Sequence, residues 1–179
     1  MIILRRGDLV MDFDLVVSSR RSIRKFTDDV VSLSDVFEII KCGIKAPSAK
    51  NRQPWRVKVV SLEEKDMVAS FLESKKSDDD ISVLNTANVI REANRLILVF
   101  ATSCDKNDIL SIGAFIENMC LKATEMGLGS LWIANTDKVN DEIKDYFGID
   151  MDMVSCVAIG YKNQDVHARP RMSVDEIVL

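Results

Sequence analysis

Residues 108–126 form the longest periodic segment of the chain and constrain its fold more than any other stretch. Ile109, Ile112, Phe115, Ile116, Met119, Ala123 and Met126 recur at helical spacing and make one wide apolar stripe. Gly127 stands where a helix commonly ends in a left-handed glycine. A helix apolar over so wide an arc has to be covered on more than one side, so we expect it against both a sheet and a second subunit. Its neighbours supply the sheet. Leu96 to Ala101 is a continuous apolar run, the pattern of a strand buried on both faces, and Ser130 to Ala134 reads as another strand.

The other segments build round this pair. A short helix over 13–19 precedes a basic cluster. Ser32 and Ser34 are candidate N-caps for a helix over 34–45, with Val36, Phe37, Ile40 and Ile44 at helical spacing; Pro47 stops it. Residues 56–61 alternate as a strand, and 62–75 read as a helix with Met67, Phe71 and Leu72 on one side. Residues 81–92 carry no decisive pattern. A helix over 138–147 is closed by Gly148, and 154–161 is a further strand. About four strands intermixed with five helices give an α+β or α/β layered sheet. Neither a repeat nor a linker divides the 179 residues, so one domain over 1–179 is expected. Met11-Asp12-Phe13-Asp14 resembles a natural helix start, and residues 1–10, which lack periodicity, are expected to be a dispensable extension.

Charge and motif arguments exclude several functions. A net charge of −4 and a pI near 5.1 disfavour non-specific nucleic-acid binding. No apolar run approaches a membrane span and no secretory leader is evident, so a cytoplasmic protein without membrane or nucleic-acid partners is expected. Cys42, Cys104, Cys120 and Cys156 are scattered, and His167 is the only histidine; we expect free thiols and no metal site. Gly127-Leu128-Gly129 follows a helix and precedes a strand, the reverse of a dinucleotide-binding loop, and reads as a cap and turn. Neither a P-loop nor a nucleophile elbow is present.

What remains is a set of separated polar elements. Arg20, Arg21, Ser22 and Arg24 put cations and a hydroxyl within a few residues, which suits a phosphate. Arg169 and Arg171 add two cations near the end. Between them the proline-bracketed loop from Pro47 to Pro54 offers Ser48, Asn51 and Gln53 as hydrogen-bonding groups. Each element alone reads as solvated charge or ordinary loop polarity; their joint order is specific.

That order, R-R-S-x-R, then A-P-S-x-x-N-x-Q-P-W, a long apolar helix, G-L-G-S-x-W-I and I-G-Y…R-P-R, resembles the FMN-dependent nitroreductase family over Met11 to Leu179. The resemblance implies an α+β nitroreductase-like fold, with a central mixed or antiparallel sheet of about 4–5 strands flanked by helices, and a homodimer binding FMN between its subunits. It implies that Arg20 and Arg24 reach the phosphate and ribityl chain, while Arg21 and Ser22 line the ribityl and the pyrimidine edge. Pro47, Ser48, Asn51 and Gln53 would lie against the flavin, from the partner subunit or, for Gln53, the same one. Trp132, Ile133 and Ala134 would approach its reactive edge by their backbone, and Arg169 and Arg171 would close over the phosphate. No catalytic side chain and no metal is implied. The expected activity is NAD(P)H-dependent reduction of nitroaromatics, quinones or related planar acceptors, by ping-pong hydride transfer through flavin N5. The alternatives are another flavin reaction on the same fold (dehalogenation, flavin destruction, ring oxidation) or a non-catalytic flavin binder. The short chain implies reduced substrate-covering insertions.

Overall fold

The computed structural model describes residues 12–77 and 81–179; the expectation for residues 1–10 lies outside them. Four strands, β1 (Trp55–Val59), β2 (Arg95–Ala101), β3 (Gly129–Ile133) and β4 (Asp152–Gly160), form an antiparallel sheet in the order β1-β2-β4-β3. Helices α1 (Phe13–Ser19), α2 (Leu33–Gly43), α3 (Leu62–Ser74), α4 (Ser82–Glu92), α5 (Lys106–Glu125), α6 (Asn140–Phe147) and α7 (Val174–Ile177) surround it. The α+β class stands, and every ladder among the named strands is antiparallel. A parallel contact joins Ser22 to Ser130 as an isolated bridge.

The period of two in the strands splits the interior into two cores. Leu96, Leu98 and Phe100 of β2 face α3, α4 and α6, together with Leu131 and Ile133 of β3. Ile97, Val99 and Ala101 face α2 and α5. Both faces of β2 are thus dry, as its continuous apolar run requires. The ambiguous segment 81–92 is α4, packed on α3 through Val83, Ala87 and Ile90. Buried Lys65 of α3 donates to the carbonyls of Arg91 (2.7 Å) and Ala93 (2.6 Å), satisfying the end of α4 that no capping glycine serves.

Local signals account for the helix ends. The Ser32 hydroxyl accepts from the Asp35 amide (3.1 Å), Ser61 and Glu64 form a capping box, and Gly127 and Gly148 take φ of +78° and +63°. Tertiary packing decides which faces are buried. The α5 stripe is already enclosed within one chain: Ile112, Phe115, Ile116, Met119 and Ala123 have no exposure, and Phe115 stacks on Trp55 at 5.0 Å. Gly43 lets α2 approach closely, since a Cβ there would lie 2.8 Å from Met119 Cγ and from Phe115 Cε2. The middle of the stripe is therefore consumed within one chain, while Ile109 at its start stays exposed and Met126 at its end half-buried. Phe37 and Ile44, expected on the buried face of α2, point outward instead, as do Met67 of α3 and Phe13, Leu15 and Val17 of α1.

Two outcomes follow from the packing. A Cβ on Gly160 would lie 2.6 Å from Phe26 Cδ1 and 2.6 Å from Asn94 Oδ1. Gly160→Ala should therefore cost about 1–3 kcal/mol by overpacking, read as a lowered urea midpoint at unchanged slope.

Burial raises the Cys120 thiol from 9.0 to about 11 and pushes Cys156 further up. An unfolded chain ionises these thiols first and the folded chain keeps them neutral, so stability is full below pH 9 and declines as pH rises toward 11. Urea midpoints at pH 8 and 10.5 measure the decline, which Cys120→Ala should reduce.

Candidate functional site

The basic cluster sits on an extended strap that the sheet holds at one end. The Ile23 amide donates to the Ser130 carbonyl (2.9 Å), the Thr27 amide to Tyr161 (2.9 Å) and the Asn163 amide to Lys25 (3.0 Å). Asn94 bridges strap and sheet, donating to the Thr27 carbonyl (2.8 Å) and accepting from the Tyr161 amide (3.0 Å). Ile23 and Phe26 are buried over Gly129 and Gly160, which face each other across β3 and β4. Gly129 is thus more than part of a turn: a Cβ there would meet Ile23 at 2.9 Å. With these two apolar side chains turned inward, the strap's cationic side chains are left on the outer side.

Strap and C-terminal segment enclose a cavity of about 150 Å³, lined by Arg20, Arg21, Ser22 and Arg24 on one side and by His167, Arg169 and Arg171 on the other. A neighbouring cavity of about 320 Å³ shares four of these arginines and adds Glu117 of α5. Glu117 pairs with Arg20 Nε at 3.1 Å. The Arg21 guanidinium donates to the carbonyls of Ser18 (2.7 Å), Arg20 (2.8 Å) and Val166 (3.2 Å), tying the strap to the tail. The Arg24 amide donates to Gln164 Oε1 (3.3 Å), and its Nη1 to the Ser22 carbonyl (3.2 Å). Five guanidinium groups converge here with one carboxylate lining the cavities. Such a donor set suits a multiply charged anion with several acceptor oxygens, a phosphate monoester in particular.

The loop with Pro47, Ser48, Asn51 and Gln53 lies elsewhere on the same chain. It packs on the first turns of α5, where Pro47 and Ser48 share a cavity of about 290 Å³ with Asn107, Leu110 and Ser111. Nine residues separate Asp108, beside this loop, from Glu117, beside the strap, about 14 Å of helix. The cavities that the arginines line include no residue of the loop. Lys50, Asn51 and Gln53 take φ of 55°, 56° and 49°, a left-handed conformation that is costly without glycine. The Ser48 hydroxyl accepts from the Gln53 amide (3.0 Å). Arg52 anchors the loop to Asp108 through Nε (3.0 Å) and Nη2 (2.7 Å), and to Asp105 through Nη2 (3.2 Å).

At the end of β3, Trp132 is exposed on the α5 side, near Gly113. The Ile133 side chain is buried in the opposite core, and its carbonyl accepts from the Ser155 hydroxyl (2.5 Å). Ala134 is exposed. The structure therefore unites Arg20, Arg21, Ser22, Arg24, Arg169 and Arg171 and leaves the loop apart from them. Sequence reasoning missed Glu117, Gln164, His167, Arg52 and Asp108. Each looks like an ordinary helix or loop polar group, and only long-range packing brings Glu117 to the strap and pairs Arg52 of the loop with Asp108. Asp108 carried a readable signal, a carboxylate in the first turn of a helix, but one that points to a cap rather than to an arginine partner.

The Nitroreductase family profile matches residues 17–161. The Bacillus subtilis protein YfhC, assigned as an NAD(P)H nitroreductase, is 25% identical over 172 residues covering 89% of each chain. The 4-nitrobenzoate reductase of Pseudomonas putida is 24% identical over 88% of each chain. Among solved structures, a Desulfovibrio desulfuricans protein assigned as a nitroreductase and crystallised with FMN superposes with a TM-score of 0.79. It is 26% identical, over 93% of this chain and 95% of that one. On the strength of the matched profile and the shared fold, the chain belongs to the nitroreductase family.

Proposed function

We propose that the protein is an FMN-dependent oxidoreductase that uses NAD(P)H to reduce nitroaromatic, quinone or related planar acceptors, and that two chains together make its sites. The observation that carries this reading is the convergence of five arginines from both ends of the chain on one cavity system in an acidic protein. The family match, the FMN held by the Desulfovibrio desulfuricans relative and the NAD(P)H-linked relatives support it. Among the described residues no helix is long and apolar enough to cross a membrane.

The donor set fits the FMN phosphate: Arg20, Arg24, Arg169 and Arg171 supply forked, permanently charged donors. Glu117 holds Arg20 in place and offsets part of the mutual repulsion of the guanidinium groups. Trp132 presents an exposed ring beside β3, a face on which a planar group can stack. Ile133, its side chain buried, can act there only through its backbone. Bound FMN supplies the hydride-transfer chemistry; the chain contributes binding, orientation and exclusion of water. We therefore assign no catalytic side chain.

The separation of loop and strap along α5 supports a site completed in trans, with Pro47, Ser48 and Asn51 coming from a second chain. Exposed Phe13, Leu15, Val17, Leu33, Phe37 and Ile44 supply apolar surface for that association.

Heat-released ligand should be FMN by chromatography. Arg20→Ala should weaken FMN by roughly ten- to a hundredfold, about 1.5–3 kcal/mol for a lost charge-assisted hydrogen bond; release of FAD instead, or no flavin after reconstitution, would contradict the reading.

Mixed dimers test the second chain's part. Pairing an Arg20→Ala chain with an Asn51→Ala chain should leave one intact site and one doubly damaged site. A flavin-loaded monomer in sedimentation would rule out a shared site.

A further inference from the structure

The loop from Pro47 to Gln53 is held in an unfavourable shape. Lys50, Asn51 and Gln53 all have positive φ, and none is glycine. Such residues persist only where the surroundings over-determine them. Asn tolerates the left-handed region better than most residues; Lys and Gln have no such excuse. Arg52, between Asn51 and Gln53, has an ordinary φ of −67°. Its guanidinium reaches across to α5 and grips it with two donors on Asp108 and one on Asp105.

That grip is well founded. Asp108 is only 3% exposed, so its carboxylate has little water to return to if the arginine leaves. Asp105 is the N-cap of α5, accepting from the Asn107 amide at 2.7 Å, and is itself immobilised. The pairing also holds the Arg52 guanidinium above its ordinary pKa, chiefly through the bond to Asp108. The Ser48 hydroxyl closes the loop from within by accepting from the Gln53 amide. The ends are secured too, since Pro54 and Trp55 are buried and the Thr102 amide donates to the Pro54 carbonyl at 2.8 Å.

We propose that Arg52 is the positioning residue that fixes Ser48 and Asn51 in the left-handed loop so that they meet the flavin bound by the strap of a second chain. Arg52 touches neither flavin nor substrate; it acts through the backbone between Ser48 and Gln53. The inference rests on the FMN reading above and deepens it by assigning the loop's geometry to one ion-paired cluster. Its chemistry is specific to a fork. Lysine at 52 would keep the charge but offer no paired donors to Asp108. Glycine at 50 would adopt the left-handed backbone without strain and relieve the need for the clamp.

Three measurements test it. Limited trypsin digestion reads the loop without any cofactor: cleavage after Lys50 should be slow in the wild type and at least about tenfold faster in Arg52→Ala, about 1.4 kcal/mol of lost protection. Asp108→Asn, the same size and less disruptive, should show a smaller change in the same direction and serves if Arg52→Ala does not fold. FMN titration should show affinity reduced about tenfold or more by Arg52→Ala, partly by Arg52→Lys, and restored toward wild type in Arg52→Ala with Lys50→Gly. Lys50→Gly alone should leave affinity unchanged. The third measurement separates positioning from general stability. In a mixed dimer of an Arg52→Ala chain with an Arg20→Ala chain, one site per dimer should bind FMN with wild-type affinity, because both defects fall on the other site. Unchanged trypsin sensitivity, FMN affinity within twofold of wild type, failure of Lys50→Gly to rescue, or two equally weakened sites in the mixed dimer would each overturn the proposal. If the wild type takes up no FMN, the FMN reading fails and the proposed role with it, while the trypsin result still decides whether Arg52 holds the loop.

Discussion

The seating of Ile23 and Phe26 over the glycine pair Gly129 and Gly160 is the constraint on which the rest of the site depends. Side chains at these two strand positions would occupy the space that the strap needs. Their absence lets an extended segment lie against the sheet and donate backbone hydrogen bonds to the carbonyls of Ser130 and Tyr161. With Ile23 and Phe26 both buried against the sheet, Arg20 and Arg24 border the cavity that the tail arginines also line. Asn94 reinforces the arrangement because its one amide serves strap and sheet at once.

Helix α5 then works as the spine of both functional elements. From Ile112 to Ala123 its apolar stripe is consumed by α2, Trp55 and the sheet, which makes it rigid against the core. Its polar face carries Asp105 and Asp108 at one end and Glu117 further along, each paired with an arginine from a different segment. Loop and strap are thus registered on the same rod, about 14 Å apart. A rod of that length separates them too far to share a small cavity. The separation is the physical reason for proposing a site completed by a second copy of the chain.

Charge is concentrated rather than abundant. The chain is acidic overall, yet its arginines at 20, 21, 24, 169 and 171 meet at one place. Their repulsion is tolerated because Arg21 is neutralised in part by carbonyl dipoles and Arg20 by Glu117. A bound phosphate would remove much of what remains.

Elements with strong local signals were legible in the sequence. The two-faced strand at 96–101, the long helix and the caps at Ser32, Gly127 and Gly148 follow from periodicity, side-chain acceptors and backbone sterics, which act within a few residues. The order of the basic and polar motifs was enough to point to the family. Which helical faces are buried was not legible. Phe37 and Met67 fit an apolar period as well as Ile39 and Val68 do, and only the position of the neighbouring helix separates them. The clamp of Arg52 on Asp108, the pairing of Arg20 with Glu117 and the meeting of tail and strap join residues 56, 97 and about 145 positions apart. No local rule relates such residues, because the energy that brings them together comes from packing the whole chain round its sheet. The sequence by itself determined the elements and the kinds of group available. The tertiary structure decided which groups meet, since contact between distant residues is set by the shared core and not by either residue's own preference.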